Sequence, residues 1–201
     1  MSGILYIISA PSGTGKTEVT KRLLSLFPKL ARSISYTTRS PRGDERDGID
    51  YTFISKETFS EMQQRGAFAE WAEVHGNSYG TGRAQIDTAL SLGNDIVFDI
   101  DYQGARQLRV AYPGAVAIML LPPSMGVLEQ RLRGRGTDSE ETIRLRMNNA
   151  RGEVSQYQIF DYLVVNDDLE EAVRKIGAIF AAQKCRRERC SQMAENLLRE
   201  G

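Results

Sequence analysis

The stretch from residue 4 to residue 17 constrains this chain more than any other part of the sequence. It reads ILYIISAPSGTGKT, an apolar run of five residues followed by a small-residue turn and a Lys-Thr pair. The residues that come next, 17–27, have the pattern of a helix. A strand, a glycine-rich turn, Lys-Thr and a helix in this order predict a loop that binds phosphate groups.

Each part of this loop has a physical role in holding an anion. Glycines let backbone N–H groups converge without Cβ clashes, and the helix adds the partial positive charge of its N-terminus. Lys16 supplies a full charge for the outer phosphates, and the Thr17 hydroxyl can ligate Mg²⁺. The predicted triphosphate site comprises Ala10, Pro11, Ser12, Gly13, Thr14, Gly15, Lys16 and Thr17.

One position departs from the usual Gly-x-x-x-x-Gly-Lys-Ser/Thr pattern. Ala10 stands where the first glycine is usual. We expect it to be tolerated, because Ala is small and because Gly13 and Gly15 are present. The alternative interpretation is a strand-to-helix turn that happens to end in Gly-Lys-Thr, but the strand before it and the helix after it favour the phosphate loop.

The charge balance limits the classes of partner. Lys plus Arg and Asp plus Glu both number 26 in 201 residues, so no basic field favours nucleic acid or an anionic membrane surface. No leader pattern and no apolar run of membrane-spanning length occurs. Cys185 and Cys190 lack metal-site spacing, and we expect reduced thiols. The expectation is one compact cytoplasmic unit whose oligomeric state is open.

Apolar strands alternate with helical stretches along most of the chain. The strands are expected at 4–8, 95–101, 115–121 and 161–166. This alternation predicts an α/β fold, with a parallel sheet covered by helices on both faces. Ligands then bind at the carboxyl ends of the strands. The polar residues at those ends are Ser9, Asp99, Asp101 and Asn166.

Two segments interrupt this alternation. Residues 33–82 contain short strands, a helix at 56–65 and a loop at 76–82, and they indicate a small mixed α/β insertion. Residues 124–151 hold two helices joined by Gly-Arg-Gly, which indicates a helical lid. The core would then comprise residues 1–32, 83–123 and 152–201.

Arginines provide the second signal. Six lie between the third and fourth predicted core strands, namely Arg131, Arg133, Arg135, Arg144, Arg146 and Arg151. Arg39 and Arg42 flank a proline in the insertion. For Arg133, Arg144 and Arg151 the alternative is a solvated helix face paired with glutamates. Arg135 fits that alternative less well, because it lies between two glycines.

A planar guanidinium binds phosphate oxygens through two hydrogen bonds. Three basic sites around one phosphate loop therefore indicate more phosphate than one nucleotide carries. A donor triphosphate together with an acceptor phosphate would supply it, and transfer between them needs charge stabilisation. The sequence alone does not bring these residues together.

The chain resembles the guanylate kinases over essentially residues 3–184. The resemblance is carried by the segments SISYTTRSPR (33–42), DYTF (50–53), EWA (70–72), NSYGT (77–81), DIDYQG (99–104), 131–137 and VND (165–167). It implies a P-loop NTPase-type core with an acceptor-binding insertion and a lid. It also implies Mg²⁺-dependent transfer of a phosphoryl group from ATP to GMP, and to dGMP as well. Transfer would be direct and in line, without a covalent intermediate.

The resemblance also implies roles for individual residues. The phosphate of GMP would be gripped by Arg39, Arg42, Tyr51 and Tyr79. The guanine would face Ser35, Glu70, Thr81 and Asp101. The transferring phosphoryl group would be stabilised by Lys16, Arg42, Arg135 and Arg146. Arg131 and Asn166 would lie nearer the adenine of ATP, and the metal would be held by Thr17 and, through water, by Asp99.

The role implied for Glu70 makes chemical sense. Guanine presents N1–H and N2–H₂ donors that a carboxylate accepts, whereas adenine presents an acceptor at N1 and leaves the carboxylate unpaired. This argues against another phosphorylated acceptor such as AMP or a sugar phosphate. The other alternative is a catalytically inactive interaction module of the same family, which the intact phosphate loop disfavours.

Simpler structural roles are alternatives for several residues. The only histidine, His75, is expected to make a structural hydrogen bond, and Trp71 is expected in the core of the insertion. Tyr51 and Tyr79 are candidates for packing. The acids at 99 and 101 are candidates for capping the helix that follows.

Overall fold

The computed structural model describes residues 2–74, 76–134, 136 and 138–200. In chain order the elements are β1 (Leu5–Ser9), α1 (Lys16–Leu26), β2 (Leu30–Arg32), β3 (Tyr36–Thr37), β4 (Thr52–Phe53), α2 (Lys56–Gln64), β5 (Phe68–Val74), β6 (Asn77–Gly82), α3 (Arg83–Ser91), β7 (Asp95–Asp99), α4 (Tyr102–Ala111), β8 (Val116–Leu121), α5 (Met125–Arg133), α6 (Glu140–Val154), β9 (Tyr162–Val165), α7 (Leu169–Lys184) and α8 (Arg187–Arg199).

The larger sheet has five parallel strands in the order β2-β7-β1-β8-β9. The central strand β1 places Tyr6 opposite Val97 on one side and Val116 on the other. Because successive side chains point to opposite faces, the continuous apolar run of β1 is buried on both faces. Tyr6 and Ile8 pack with α1 and α7, whereas Leu5 and Ile7 pack with α3 and α4. The predicted α/β fold class is confirmed.

The smaller sheet lies within residues 33–82 and has the order β4-β3-β6-β5. It is mixed, since β3 is parallel to β4 and antiparallel to β6. The loop expected at 76–82 is wrong, because residues 77–82 form β6 and pair with β5. Glycine lowers strand propensity, but packing requires it at position 80. A Cβ on Gly80 would lie 3.0 Å from the Phe68 ring and 3.1 Å from that of Phe59.

Three further differences from the sequence-based expectations have physical reasons. β2 is a fifth core strand that the pattern missed, because two of its three residues are exposed. The prediction of Trp71 as a core residue is wrong: it lies on the edge strand β5 and is 41% exposed. The C-terminal helical stretch divides at Cys185 and Arg186 into α7 and α8. His75 lies outside the described residues.

The C-terminal helix α8 contributes little to the core. None of its residues is buried, although Arg189 donates a hydrogen bond to the carbonyl of Ser2 at 2.9 Å. By contrast, Phe180 on α7 is 3% exposed, with its ring 4.0 Å from that of Tyr6. Within the described part of the chain, no helix combines the length and apolar character needed to cross a membrane.

Deleting residues 187–201 should therefore leave the fold intact. We expect the free energy of unfolding to fall by less than about 1 kcal/mol, because no buried side chain is lost. Urea unfolding followed by circular dichroism measures it. As the reference, Phe180→Ala removes a buried ring and should cost roughly 3–5 kcal/mol. A truncation as costly as Phe180→Ala would contradict the expectation.

Candidate active site

The topology brings the ends of the core strands to one edge of the larger sheet. Ser9 ends β1, Asp99 ends β7, and Asn166 follows β9. Parallel strands have their carboxyl ends on the same side, so these polar residues surround the start of α1. This edge is where the sequence predicted a phosphate site.

The loop between β1 and α1 adopts a conformation that requires glycine at two positions. Gly13 and Gly15 have φ angles of +93° and +96°, a region that other residues rarely adopt. A Cβ on Gly13 would lie 2.9 Å from the side chain of Leu132, and one on Gly15 would lie 2.6 Å from Asn166 Nδ2. Ala10 is buried in the core cluster on the α1 and α7 face, which accommodates its methyl group.

Asn166 fastens the phosphate loop to the last core strand. Its Nδ2 donates to the carbonyl of Thr14 at 2.7 Å, in a buried position. Its own carbonyl accepts a hydrogen bond from Arg131 Nη1 at 2.9 Å. The two residues that the resemblance placed near the adenine are thus connected to each other and to the loop. A contact with a base stays a prediction.

Lys16 is held by groups at the end of β7. Its Nζ lies 2.6 Å from Asp99 Oδ1 and donates to the carbonyl of Ile100 at 3.0 Å.

Glu153 on α6 shares this electrostatic environment, and the sequence reasoning missed its role here. Burial raises the pKa of Glu153, while the positive Lys16 lowers it and the negative Asp101 raises it further. Its spacing of seven from Arg146 places both on one face of α6, which was the available signal.

Arg146 connects α6 to the phosphate loop. Its Nη1 lies 3.3 Å from Asp138 Oδ2 and 3.5 Å from the hydroxyl of Ser12. Arg133 instead pairs with Glu129 and Glu140 on the helix surface, which confirms the solvated-face alternative for that residue. Arg135 lies outside the described residues.

Arg39, two residues after β3, is buried, and both of its Nη atoms donate hydrogen bonds. It is 8% exposed, and its Nη1 and Nη2 donate to the Glu45 carboxylate at 2.8 and 2.9 Å. Its guanidinium also lies 5.3 Å from the centre of the Tyr51 ring, which itself packs at 6.0 Å from that of Tyr79. Arg39, followed by the backbone N–H of Arg42, holds the pKa of Glu45 below its usual value. Sequence reasoning missed Glu45, which looked like part of a charged loop.

Glu70 is a buried carboxylate at the boundary between the insertion and the core. It is 7% exposed and accepts a hydrogen bond from the Thr81 hydroxyl at 2.7 Å. That hydroxyl lies 3.3 Å from the hydroxyl of Ser35. Burial raises the pKa of Glu70, the Thr81 hydroxyl lowers it, and nearby Asp101 raises it. Three residues predicted to face one ligand group therefore form one hydrogen-bonded cluster.

Asp101 has the capping role that was its structural alternative. It is the N-cap of α4, and its Oδ1 accepts a hydrogen bond from the backbone N–H of Gly104 at 2.9 Å. Asp99 does not cap this helix but pairs with Lys16. Asp101 is exposed at this helix start, so capping leaves it able to meet a ligand.

Comparisons with known proteins show which family the chain belongs to. The sequence model of the guanylate kinase family, described as "Guanylate kinase", matches residues 2–183. The chain belongs to the guanylate kinase family. It is 48% identical over 196 residues to a guanylate kinase of Syntrophotalea carbinolica, a match that covers 98% of this chain and 93% of the relative.

Two further relatives extend the comparison. A guanylate kinase of Oleidesulfovibrio alaskensis is 51% identical over 181 residues, covering 90% of this chain and 88% of the relative. The crystal structure of guanylate kinase from Anaplasma phagocytophilum matches with a TM-score of 0.73 and 32% identity. That match covers 92% of this chain and 88% of the other.

The Asn166 contact generates a test of how the loop is held. Asn166→Asp replaces a donor with an acceptor facing the Thr14 carbonyl, which leaves a buried carbonyl without its hydrogen bond. We expect the free energy of unfolding to fall by roughly 1–3 kcal/mol and ATP binding to weaken. Urea unfolding and titration calorimetry with ATP measure the two effects. Asn196→Asp, on the exposed helix α8, is the control, and an equal response of both variants would contradict the assignment.

Proposed function

We propose that this chain transfers the γ-phosphoryl group of ATP to GMP, giving ADP and GDP, with dGMP as a second acceptor. The observation that carries the proposal is the buried Glu70 carboxylate beside Thr81 and Ser35, in the same molecule as an intact phosphate loop. Family membership and the names of the relatives support an enzyme that acts on these nucleotides. The activity is assigned to the cytoplasm, where both substrates are found.

Guanine recognition follows from the chemistry of Glu70. An ionised carboxylate accepts the N1–H and N2–H₂ donors of guanine, while Thr81 occupies one of its lone pairs. Ser35 and the Asp101 carboxylate offer further polar contacts to the same base edge. Adenine would leave the buried Glu70 carboxylate with no hydrogen-bond donor from the base, which disfavours AMP as the acceptor.

The acceptor phosphate is assigned to Arg39, Arg42, Tyr51 and Tyr79. Arg39 and the two tyrosines cluster in the structure, whereas the side chain of Arg42 is exposed. Because Glu45 occupies the Arg39 fork, GMP binding has to share that fork or displace Glu45. Arg42 then approaches the phosphate from the solvent side.

Phosphoryl transfer is assigned to electrostatic stabilisation by four cations. Lys16 comes from α1 and Arg146 from α6, while Arg42 belongs to the insertion at 33–82 and Arg135 to the segment 124–151. A positioned arginine in such reactions contributes about 10³ to 10⁵ in rate. The acceptor oxygen is already ionised, so direct in-line attack needs no strong base and no covalent intermediate. Residues 33–82 and 124–151 are assigned as the segments that close over the substrates and exclude water.

The residues present fit a magnesium ion that accompanies ATP. The Thr17 hydroxyl and the Asp99 carboxylate are the hard oxygen donors that Mg²⁺ prefers. Among the described residues, no three His, Cys, Asp or Glu side chains form a cluster that could hold a metal by themselves. This suits Mg²⁺, which takes few protein ligands and keeps phosphate oxygens and water. The ion would neutralise phosphate charge, with Thr17 as ligand and Asp99 acting through water.

A panel of acceptors tests the substrate assignment. We expect ADP release from ATP with GMP and dGMP, and not with AMP, CMP or UMP, in a coupled assay. Glu70→Gln loses a charged acceptor and should raise the KM for GMP roughly 10- to 100-fold. Glu73→Gln, on an exposed position of β5, is the matched control. Preference for another nucleoside monophosphate would overturn the substrate assignment.

The role of Lys16 is tested separately. Lys16→Met keeps the length of the side chain but removes its charge, and kcat should fall by about 10²- to 10³-fold or more. Lys21→Met on the same helix is the control, since Lys21 is exposed and pairs with Glu18 at 3.2 Å on the helix surface. Near-normal turnover by Lys16→Met, with a circular dichroism spectrum like that of the parent, would contradict the proposed role of Lys16 in phosphoryl transfer.

A further inference from the structure

A side-chain amide of helix α4 is hydrogen-bonded to the backbone of β5, the edge strand of the smaller sheet. Gln107 Nε2 donates to the carbonyl of Trp71 at 3.0 Å, and Gln107 Oε1 accepts from the backbone N–H of Trp71 at 3.1 Å. Since β5 is the edge strand, this amide takes the two backbone groups that a neighbouring strand would otherwise take. The backbone next to Glu70 is thereby fixed to a core helix.

One turn earlier on α4, Gly104 gives the Glu70 carboxylate its space. A Cβ at position 104 would lie 3.2 Å from Glu70 Oε2 and 3.2 Å from the side chain of Ile100. Residues three apart on a helix lie on the same face, so Gly104 and Gln107 both face β5. Gly104 leaves space for the side chain of Glu70, and the Gln107 amide holds the backbone of Trp71, the next residue of β5.

We propose that Gly104 and Gln107 are positioning residues for guanine specificity, acting through Glu70. The inference rests on the proposed role of Glu70. Glu70 comes from the insertion, whereas Asp101 is the N-cap of α4 in the core. Both carboxylates lie beside Gly104, whose N–H donates to Asp101 Oδ1 at 2.9 Å and whose Cβ, if present, would lie 3.2 Å from Glu70 Oε2. The Gln107 amide fixes the separation between these two carboxylates, and therefore the width of the guanine site between them.

If Gly104 had a purely structural role, Gly104→Ala would change stability and guanine binding together. Gly104 lies in the helix α4 and its φ is not positive, so Ala at this position should favour the helix in the absence of other contacts. The added methyl group would nevertheless press on the Glu70 carboxylate, the end of a flexible side chain. It would also press on the flexible end of the Ile100 side chain, which offsets part of the gain in helix propensity. Guanine binding should thus weaken without a matching loss of stability.

The experiment measures KM for GMP, KM for ATP, kcat and the thermal unfolding midpoint for four single variants. Gln107→Met removes both hydrogen bonds, and Gln107→Glu keeps the acceptor for Trp71 N–H but loses the donor. Gly104→Ala keeps the helix. Gln63→Met makes the same chemical change on an exposed position of α2 and is the control.

We expect the KM for GMP to rise roughly three- to tenfold in Gln107→Met, the ratio for hydrogen bonds of ordinary strength, and by at least as much in Gln107→Glu, whose carboxylate faces the Trp71 carbonyl oxygen. Gly104→Ala should raise it by a similar factor while its unfolding midpoint is maintained or increased. The KM for ATP should stay within twofold of the parent in all variants. An unchanged KM for GMP, or equal rises for both substrates, would overturn the inference.

A double-mutant cycle shows whether the effect passes through Glu70. In a Glu70→Gln background, adding Gln107→Met should raise the KM for GMP less than twofold, because the group that it positions is already altered. Fully multiplicative effects would mean that Gln107 acts elsewhere, which contradicts the proposal. If the parent enzyme itself shows no preference for GMP, the proposed function fails; if it does and the variants match it, only this inference fails.

Discussion

Positive charges gathered to hold phosphate groups repel one another, and this constraint organises the candidate site. Three of the predicted phosphate-binding cations are each paired with a carboxylate: Lys16 with Asp99 at 2.6 Å, Arg39 with Glu45 at 2.8 Å and Arg146 with Asp138 at 3.3 Å. The pairs hold long side chains near fixed positions without a ligand. In the proposed reaction, phosphate oxygens replace these carboxylates as the partners of the cations. Because the cationic side chains are already held near fixed positions, substrate binding does not have to order them.

These pairs depend on a rigid base that the larger sheet supplies. β1 lies at its centre between β7 and β8, and the carboxyl ends of β1, β7 and β9 supply the phosphate loop, Asp99 and Asn166. The hydrogen bond from Asn166 to the Thr14 carbonyl connects the loop to β9 across the sheet. Gly13 and Gly15 give the loop two positive-φ positions that glycine adopts readily, and Leu132 of α5 and Asn166 after β9 leave no room for a side chain there.

The sequence predicted the core because its strands are long apolar runs, and predicted the phosphate loop because each position has a separate physical requirement. It did not predict β6, whose glycines argue against a strand until the rings of Phe59 and Phe68 are packed beside Gly80. It also missed Glu45 and Asp138, because acids in loops look like solvated charges along the chain. Their pairing with Arg39 and Arg146 in the folded chain distinguishes them from solvated acids. The residues next to them in the sequence do not indicate this pairing.

The residues proposed to contact guanine and phosphate come from different parts of the chain, and this bears on how specificity would reach the chemical step. Glu70 belongs to β5 and Asp101 to α4, while Ser12 of the loop meets Arg146 of α6. In the proposed reaction, a base that satisfies both carboxylates would hold the insertion against the core. A base that offers Glu70 no hydrogen-bond donor would lack that contact free energy. Under the proposed function, discrimination would therefore act on closure as well as on binding, which is the pattern of induced-fit selection.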